Sequence, residues 1–157
     1  MPTNRINTIC SYVPTADTIA DIGADHGKVS AFIYRHGLAK NLIVNDISVA
    51  SLEKAKRLFS KHKINDNVNL QFICADGIEL EKLTNKKIDC AIIAGMGGGE
   101  IKKILTALKP KAAILDPRKN ITELKESLKD LNYTIKSEEE ITDKKRKYKI
   151  LYIMNNE

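Results

Sequence analysis

Residues 20–30 read "ADIGADHGKVS", which sets Asp21, Gly23, Asp25, His26 and Gly27 within seven positions. Gly23 suits a tight turn after a strand, and Gly27 suits the point where backbone meets a new helix. That arrangement elsewhere seats a pyrophosphate on helix N-terminal amides. In a dinucleotide loop a further glycine stands where this chain has Asp25, and a carboxylate there would repel a pyrophosphate and take up its space. The loop therefore favours a ligand that carries positive charge and no phosphate. Asp21 would hold an ammonium, directly or through water, while amides near Gly23 remain for a carboxylate. His26 and Asp25, at the mouth of the helix, have the chemistry to orient a reacting base or relay a proton. For His26 a local hydrogen-bonding role is the alternative.

Three further stretches extend this chemistry. Asp46 in "IVNDIS" lies 19 residues after Gly27, close to the roughly 20-residue interval at which an acid meets a ribose in nucleotide folds. Capping the next helix is its other reading, and the two are compatible. In "ADG", residues 75–77, Asp76 would accept from an adenine amino group and Gly77 leave room for the ring, although Asp-Gly is also a common turn. "AGMGGGE", residues 94–100, puts three consecutive glycines behind an apolar run. Such backbone is costly in entropy, and bare main chain lets a reacting partner come within van der Waals range, as in-line methyl transfer requires. A merely flexible turn is the alternative. S-adenosylmethionine, with an ammonium, a sulfonium and one carboxylate, meets the demands of these stretches together.

The elements that must position them alternate along the chain. Ile6, Ile9, Cys10 and Val13 recur at helical spacing until Pro14. "TIADIG" reads as a buried strand, followed by a helix with Val29, Phe32, Ile33 and His36 on one face that Gly37 closes. "NLIVND" is a second strand. Ser48 is placed to cap a helix lined by Val49, Leu52, Ala55 and Phe59. "VNLQFICADG" alternates as a less buried strand would, whereas "IDCAIIAG" is nearly continuous apolar sequence, the profile of a central parallel strand. "AAILDP" is stopped by Pro117, and Asn120 with Glu123 predicts a capping box for the next helix. "YTIKSEEEI" and "KYKILYIMN" have only "TDKKR" between them, too little for a helical crossover, so they pair as a hairpin or lie apart. The pattern predicts an α/β fold, a Rossmann-like doubly wound, mostly parallel seven-stranded sheet with an antiparallel C-terminal strand. Its ligands would sit beyond the carboxyl ends of the strands, near the point where strand order reverses.

Composition narrows the class. At 157 residues the chain suits a single domain over 1–157, and 43% hydrophobic with 29% charged residues is a globular profile. No apolar run approaches the roughly 20 residues that span a bilayer, and the start lacks a signal-peptide pattern, so no membrane partner and a cytoplasmic location are expected. Cys10, Cys74 and Cys90 are scattered and mostly in apolar segments, which predicts buried thiols and neither a disulfide framework nor a metal site. The net charge of +6 is uneven: residues 101–157 carry fourteen basic and nine acidic side chains. A basic surface there would meet phosphates, or is a plain lysine-rich solvated face.

The strand-end stretches "ADIGADHGKV", "NDISVASLEKA", "ADGIEL", "AGMGGGEI", "ILDPRKN" and "KYKILYI" together resemble one family over essentially the whole chain, the bacterial tRNA (adenine-22-N1)-methyltransferases, which use S-adenosylmethionine. "DIGADHG" and "AGMGGGEI" are the specific parts. The resemblance implies that Asp21, Gly23, Asp25 and His26 surround the methionyl part of the cofactor and that Asp46 and Ile47 lie at its ribose. It further implies Asp76 and Gly77 at the adenine, and Gly95, Met96, Gly97 and Gly98 beside the methyl group. RNA contact, most simply to tRNA, would fall to Arg118, Lys119, Lys144, Lys145, Arg146 and Lys147. Members commonly continue into a helical coiled-coil arm, whereas this chain stops at Glu157, and they usually have "LQP" where it has "LDP". Without an arm, RNA binding should be weak and salt-sensitive unless a homodimer enlarges the surface.

Three other functions compete with that expectation. One is a methyltransferase of the same fold acting on another RNA or a small molecule. A non-catalytic S-adenosylmethionine-binding module that recruits RNA or a partner protein is disfavoured by its intact strand-end acids. A nicotinamide-dependent oxidoreductase is disfavoured by Asp25 and by the terminal strand pair.

Overall fold

Thr3 opens the first helix by accepting a hydrogen bond from the Ile6 amide, and the computed structural model describes residues 3–157. That helix, α1 (Asn4–Tyr12), buries Ile9 and Cys10. There follow β1 (Ala16–Ile22), α2 (Lys28–Arg35), β2 (Ala39–Asp46), α3 (Val49–Phe59) and β3 (Asn69–Cys74). A 3-10 turn (Gly77–Glu79) and α4 (Leu80–Thr84) lead to β4 (Cys90–Met96), then α5 (Gly98–Leu108), β5 (Ala112–Pro117) and α6 (Ile121–Asp130). The last elements are β6 (Tyr133–Asp143) and β7 (Arg146–Asn155).

The strands form one seven-stranded sheet in the order β3-β2-β1-β4-β5-β7-β6. Strands β1 to β5 are parallel, and β7 runs antiparallel to both β5 and β6. Strand order reverses between β1 and β4, so the carboxyl ends of these two strands flank the crevice where such sheets bind ligands. Alternation along the strands feeds two cores. Ile19, Leu42, Val44, Ile92 and Ile114 pack on the face carrying α1, α2 and α3. Ile22, Ile43, Ile93 and Leu115 pack on the opposite face with Leu80 of α4, Ile101 and Leu105 of α5 and Leu124 of α6. The edge strand β3 is only half-buried, as its alternating sequence suggests.

The terminal pair is a hairpin, turned by Lys144 and Lys145, both left-handed at φ 49° and 67°. Its pairing with β5 runs only from Leu115↔Leu151 to Ala112↔Met154, so the tip rises past the end of β5 at the sheet edge where the crevice opens.

Several local expectations are corrected. Ser48 does cap α3, accepting from the Ser51 amide, but Val49 is 64% exposed and leaves the packing to Leu52, Ala55 and Phe59. On α2 the sheet-facing side is Val29, Ser30, Ile33 and Tyr34, while His36 is exposed with its ring against Phe32. Asn120 makes no capping box. It turns left-handed (φ 59°) where the chain presses on Gly98, and a capping box needs an extended N-cap. Cys10 and Cys90 are buried, and burial pushes both thiols up to about 12, but Cys74 is exposed. Among the described residues no helix is long and apolar enough to cross a membrane, and no group of three or more His, Cys, Asp or Glu is arranged to hold a metal.

Candidate active site

The carboxyl ends of β1 to β5 border a cleft of two lobes that share Gly23, Asp46 and Met96. The first lobe, about 460 Å³, reaches Arg5, Asp21, His26, Gly95 and Arg118. The second, about 350 Å³, is bounded by Ile47, Asp76, Gly77, Ile78 and Ile104.

Asp21 stands one residue before the end of β1 and is 3% exposed. Burial pushes its carboxyl up to about 6, with the nearby Asp46 charge acting the same way and the Ser30 hydrogen bond opposing. A buried acid bordering a polar lobe is a place for a cation. Past it the chain turns through Gly23 (φ 72°), whose missing Cβ would lie 2.7 Å from Met96 Cε. Gly27 fits α2 against α3, since a Cβ there would meet Ala55 Cβ at 2.7 Å.

Asp25 adopts φ 54° between these glycines, and its carboxylate is 75% exposed, 3.5 Å from His26 Nε2. The pair lies on the rim. Asp25 therefore does not fill the turn as its position in the loop suggested; any repulsion of a pyrophosphate acts from the mouth of the cleft. Its amide donates to Asp46 Oδ2 at 2.9 Å, while Asp46 Oδ1 accepts from the Ser48 amide at 2.9 Å. Asp46 thus ties the β1 loop to the end of β2, and the capping of α3 belongs to Ser48. Ile47 follows with 75% of its surface exposed, an apolar wall for the second lobe.

Asp76 Oδ1 accepts from the Ile78 amide and caps the 3-10 turn. A Cβ on Gly77 would sit 2.6 Å from Ile22 Cγ2, so the backbone lies directly on the core and leaves a slot above it. Buried Asn45, which sequence reasoning missed, fixes this corner by donating to the carbonyls of Ile73 and Ala75.

The glycines at the end of β4 and just after it do different jobs. Gly95 (φ 75°) and Met96 line the cleft, but Gly97 and Gly98 do not. Lys119 lies over Gly97, and a Cβ on Gly98 would strike the Asn120 carbonyl at 2.6 Å, so Gly98 serves the contact between α5 and the start of α6. Gly95 O accepts from Arg118 Nε at 3.1 Å.

Arg5 was also missed. Its Nε donates to Asp116 Oδ2 at 2.6 Å, 111 positions away. Burial raises the Asp116 carboxyl, and Arg5 and Arg118 oppose that rise. The available signal was an acid at the end of the apolar run "AAILD", which calls for a cationic partner. Lys144, Lys145, Arg146 and Lys147 are exposed at the hairpin tip and line neither lobe. The tip is held to the start of α1 by the Arg5 amide, which donates to Asp143 Oδ2.

Residues 2–151 match the family model described as a methyltransferase domain. The chain belongs to this family. Among individual relatives the methyltransferase domain is 28% identical over 152 residues to the tRNA (adenine(22)-N(1))-methyltransferase of Bacillus subtilis (strain 168), covering 94% of this chain and 62% of that protein. It is 33% identical over 155 residues to a Mycoplasma pneumoniae protein provisionally named a tRNA methyltransferase, covering 95% of this chain and 70% of that one. It thus spans between three fifths and three quarters of the length of these relatives. The structure of M. capricolum TrmK in complex with S-adenosyl-homocysteine superposes on the methyltransferase domain with a TM-score of 0.88 at 25% identity, covering 100% of this chain and 70% of that one.

Proposed function

We propose that the chain is an S-adenosylmethionine-dependent methyltransferase acting on N1 of an adenine in tRNA, with residues 1–157 forming one catalytic domain. The observation that carries this reading is the two-lobed cleft, with Asp21, Asp46 and Asp76 at the ends of β1, β2 and β3 and bare Gly95 at the end of β4. The groups present suit that cofactor. Buried Asp21 answers an ammonium, and Asp46, shared by both lobes, answers ribose hydroxyls. The slot over Gly77, walled by Ile47 and Ile78, answers an adenine ring, with Asp76 at its edge. Bound there, S-adenosylmethionine supplies an electrophilic methyl group on its sulfonium.

The chain's own task is placement. Adenine N1 is a neutral nucleophile with its lone pair in the ring plane, so alignment and exclusion of water supply most of the acceleration. Gly95 puts no side chain of its own at the end of β4, and the guanidinium groups of Arg5 and Arg118 border the space above it. Asp25 and His26, paired on the rim, orient the base or take the amino proton that the cationic product releases. N1 lies on the pairing edge, so the target nucleotide must be unstacked or turned out of its helix. Arg118, Lys119 and the hairpin-tip residues Lys144, Lys145, Arg146 and Lys147 serve the RNA backbone. The Bacillus subtilis relative's name supports the adenine N1 target, and the M. capricolum complex supports the cofactor.

The test is methyl transfer from labelled S-adenosylmethionine to bulk tRNA lacking the modification, with the modified nucleoside then mapped. Label in 1-methyladenosine of tRNA is the expected result. Label confined to small molecules, or none at all, overturns the reading.

A further inference from the structure

Arg5 and Arg118 both reach the glycine turn at the end of β4, one from α1 and one from just after β5. A point one Cβ bond above Gly95 lies 3.5 Å from Arg118 Nη2 and 3.7 Å from Arg5 Nη2. Each arginine has its Nε committed elsewhere, Arg5 to Asp116 Oδ2 and Arg118 to the Gly95 carbonyl. Toward that point Arg5 turns a terminal nitrogen, and Arg118 turns the Nε–Nη2 edge of its guanidinium, whose Nη2 is not engaged by the Gly95 carbonyl. Among the described residues Arg118 forms no salt bridge.

Two guanidinium groups around one point repel unless a negative charge lies between or beneath them. Asp116 supplies one such charge from beneath, 1% exposed, with its second oxygen lacking any hydrogen-bond partner among the described residues. That leaves the pair with a net positive charge at a site where Gly95 offers no side chain. Lys119, stretched over neighbouring Gly97, adds another cation.

We propose that Arg5 and Arg118 form an oxyanion seat over Gly95 for one phosphodiester of the RNA, beside the nucleotide to be methylated, with Asp116 as the positioning residue that aims Arg5. This rests on the RNA reading above. A phosphodiester presents two unbridged oxygens carrying one charge, which suits donors converging from two guanidinium groups. The cofactor's carboxylate is the other oxyanion within reach of this lobe. The surroundings favour phosphate: the seat continues into a basic surface that a single carboxylate has no use for. Arg5 stacks over the Tyr148 ring at 5.3 Å, Arg146 approaches the same ring at 6.0 Å, and the Arg5 amide holds Asp143 at the foot of the lysine turn.

The experiment measures methyl transfer to unmodified tRNA together with cofactor affinity in the absence of RNA. Arg118→Ala is expected to raise the RNA KM about tenfold, the worth of one charge-assisted hydrogen bond, and to lower the salt slope of RNA binding by about 0.7 to 0.9. S-adenosylmethionine affinity and the melting temperature should stay near wild type. Arg5→Lys keeps the charge but not the fork, so it should raise the RNA KM as well. Asp116→Ala should do the same by releasing Arg5, and Asp116→Asn, which still accepts from Nε, should restore it. RNA carrying a neutral methylphosphonate beside the target adenosine should lose affinity for wild type but no further affinity for Arg118→Ala. An unchanged RNA KM and salt slope overturn the seat. Loss of cofactor affinity without RNA assigns it to the carboxylate instead and also overturns the proposal. Wild-type protein that methylates no RNA refutes the underlying reading, a failure separate from that of the variants.

Discussion

The Ser30 hydroxyl donates to Asp21 Oδ2 at 2.6 Å, with both residues buried at the base of the cleft. Below the ordinary value of 3.8 the Asp21 carboxyl is protonated folded and unfolded, and its burial carries no charge penalty. As pH rises the unfolded chain ionises first, and the native state holds its proton until about 6. The native state therefore binds more protons across that window, and stability falls as pH rises through it. The full loss, reached above about pH 6, is about 3 kcal/mol. Chemical denaturation of wild type and Asp21→Asn between pH 4 and 7 measures it: the variant should lose less stability over the range by about that amount. Parallel curves would show that Asp21 titrates normally.

The same carboxyl governs cofactor affinity in the opposite sense. An ammonium is held by the ionised form, so affinity for S-adenosylmethionine should be flat above about pH 6 and fall below it, approaching tenfold per pH unit. The proton and the cofactor compete for one group. Calorimetric titration from pH 5 to 8 checks this, and Asp21→Asn should bind weakly with no break near 6. A wild-type affinity constant through pH 5 would remove Asp21 from the ammonium site.

The strands that carry Asp21, Asp46 and Gly95 were legible because each is a run of apolar residues closed by a polar or glycine turn, a local signal. The hairpin was legible for a similar reason, the shortness of "TDKKR". Contacts distant in sequence were not. Arg5 and Asp116 are 111 positions apart, and no spacing rule joins them. The glycine run looked like a single feature. In three dimensions Gly95 faces the cleft, Gly98 faces Asn120, and Gly99, its own stretch of helix aside, has no neighbour within 4 Å of where its Cβ would be. Which side of α2 meets the sheet depends on how the helix is rotated, and a rotation of one position exchanges His36 for Tyr34.

Gly77 forms the floor of the second lobe. A Cβ there would lie 2.6 Å from Ile22 Cγ2, itself 1% exposed, and 3.6 Å from Asn45 Oδ1 and Ile104 Cδ1. Ile22 is locked in the core and cannot yield, so Gly77→Ala must lift the backbone into the slot. Overpacking of this kind costs about 1–3 kcal/mol. Denaturation should show that loss, and cofactor titration should show weakened binding at temperatures where the variant remains folded. An alanine variant that binds as wild type would mean the slot over Gly77 does not receive the cofactor.

The hairpin tip sets charge against backbone preference. Lys144 and Lys145 are both left-handed, in a two-residue turn that favours Asn-Gly, and left-handed backbone costs a non-glycine residue about 1–2 kcal/mol. The double variant Lys144→Asn, Lys145→Gly keeps the turn and removes two cations. It should therefore be more stable than wild type, by about 1 kcal/mol or more in chemical denaturation. RNA binding should respond the other way, with weaker affinity and a salt slope lower by about 0.7 for each phosphate no longer neutralised. Cofactor affinity should not move, since neither lysine lines the cleft. Greater stability joined to weaker RNA binding would identify the lysines as held in strained backbone for the sake of their charge. Undiminished RNA binding would instead leave the tip as a plain solvated turn and put the RNA contact on Arg118 and Lys119 alone.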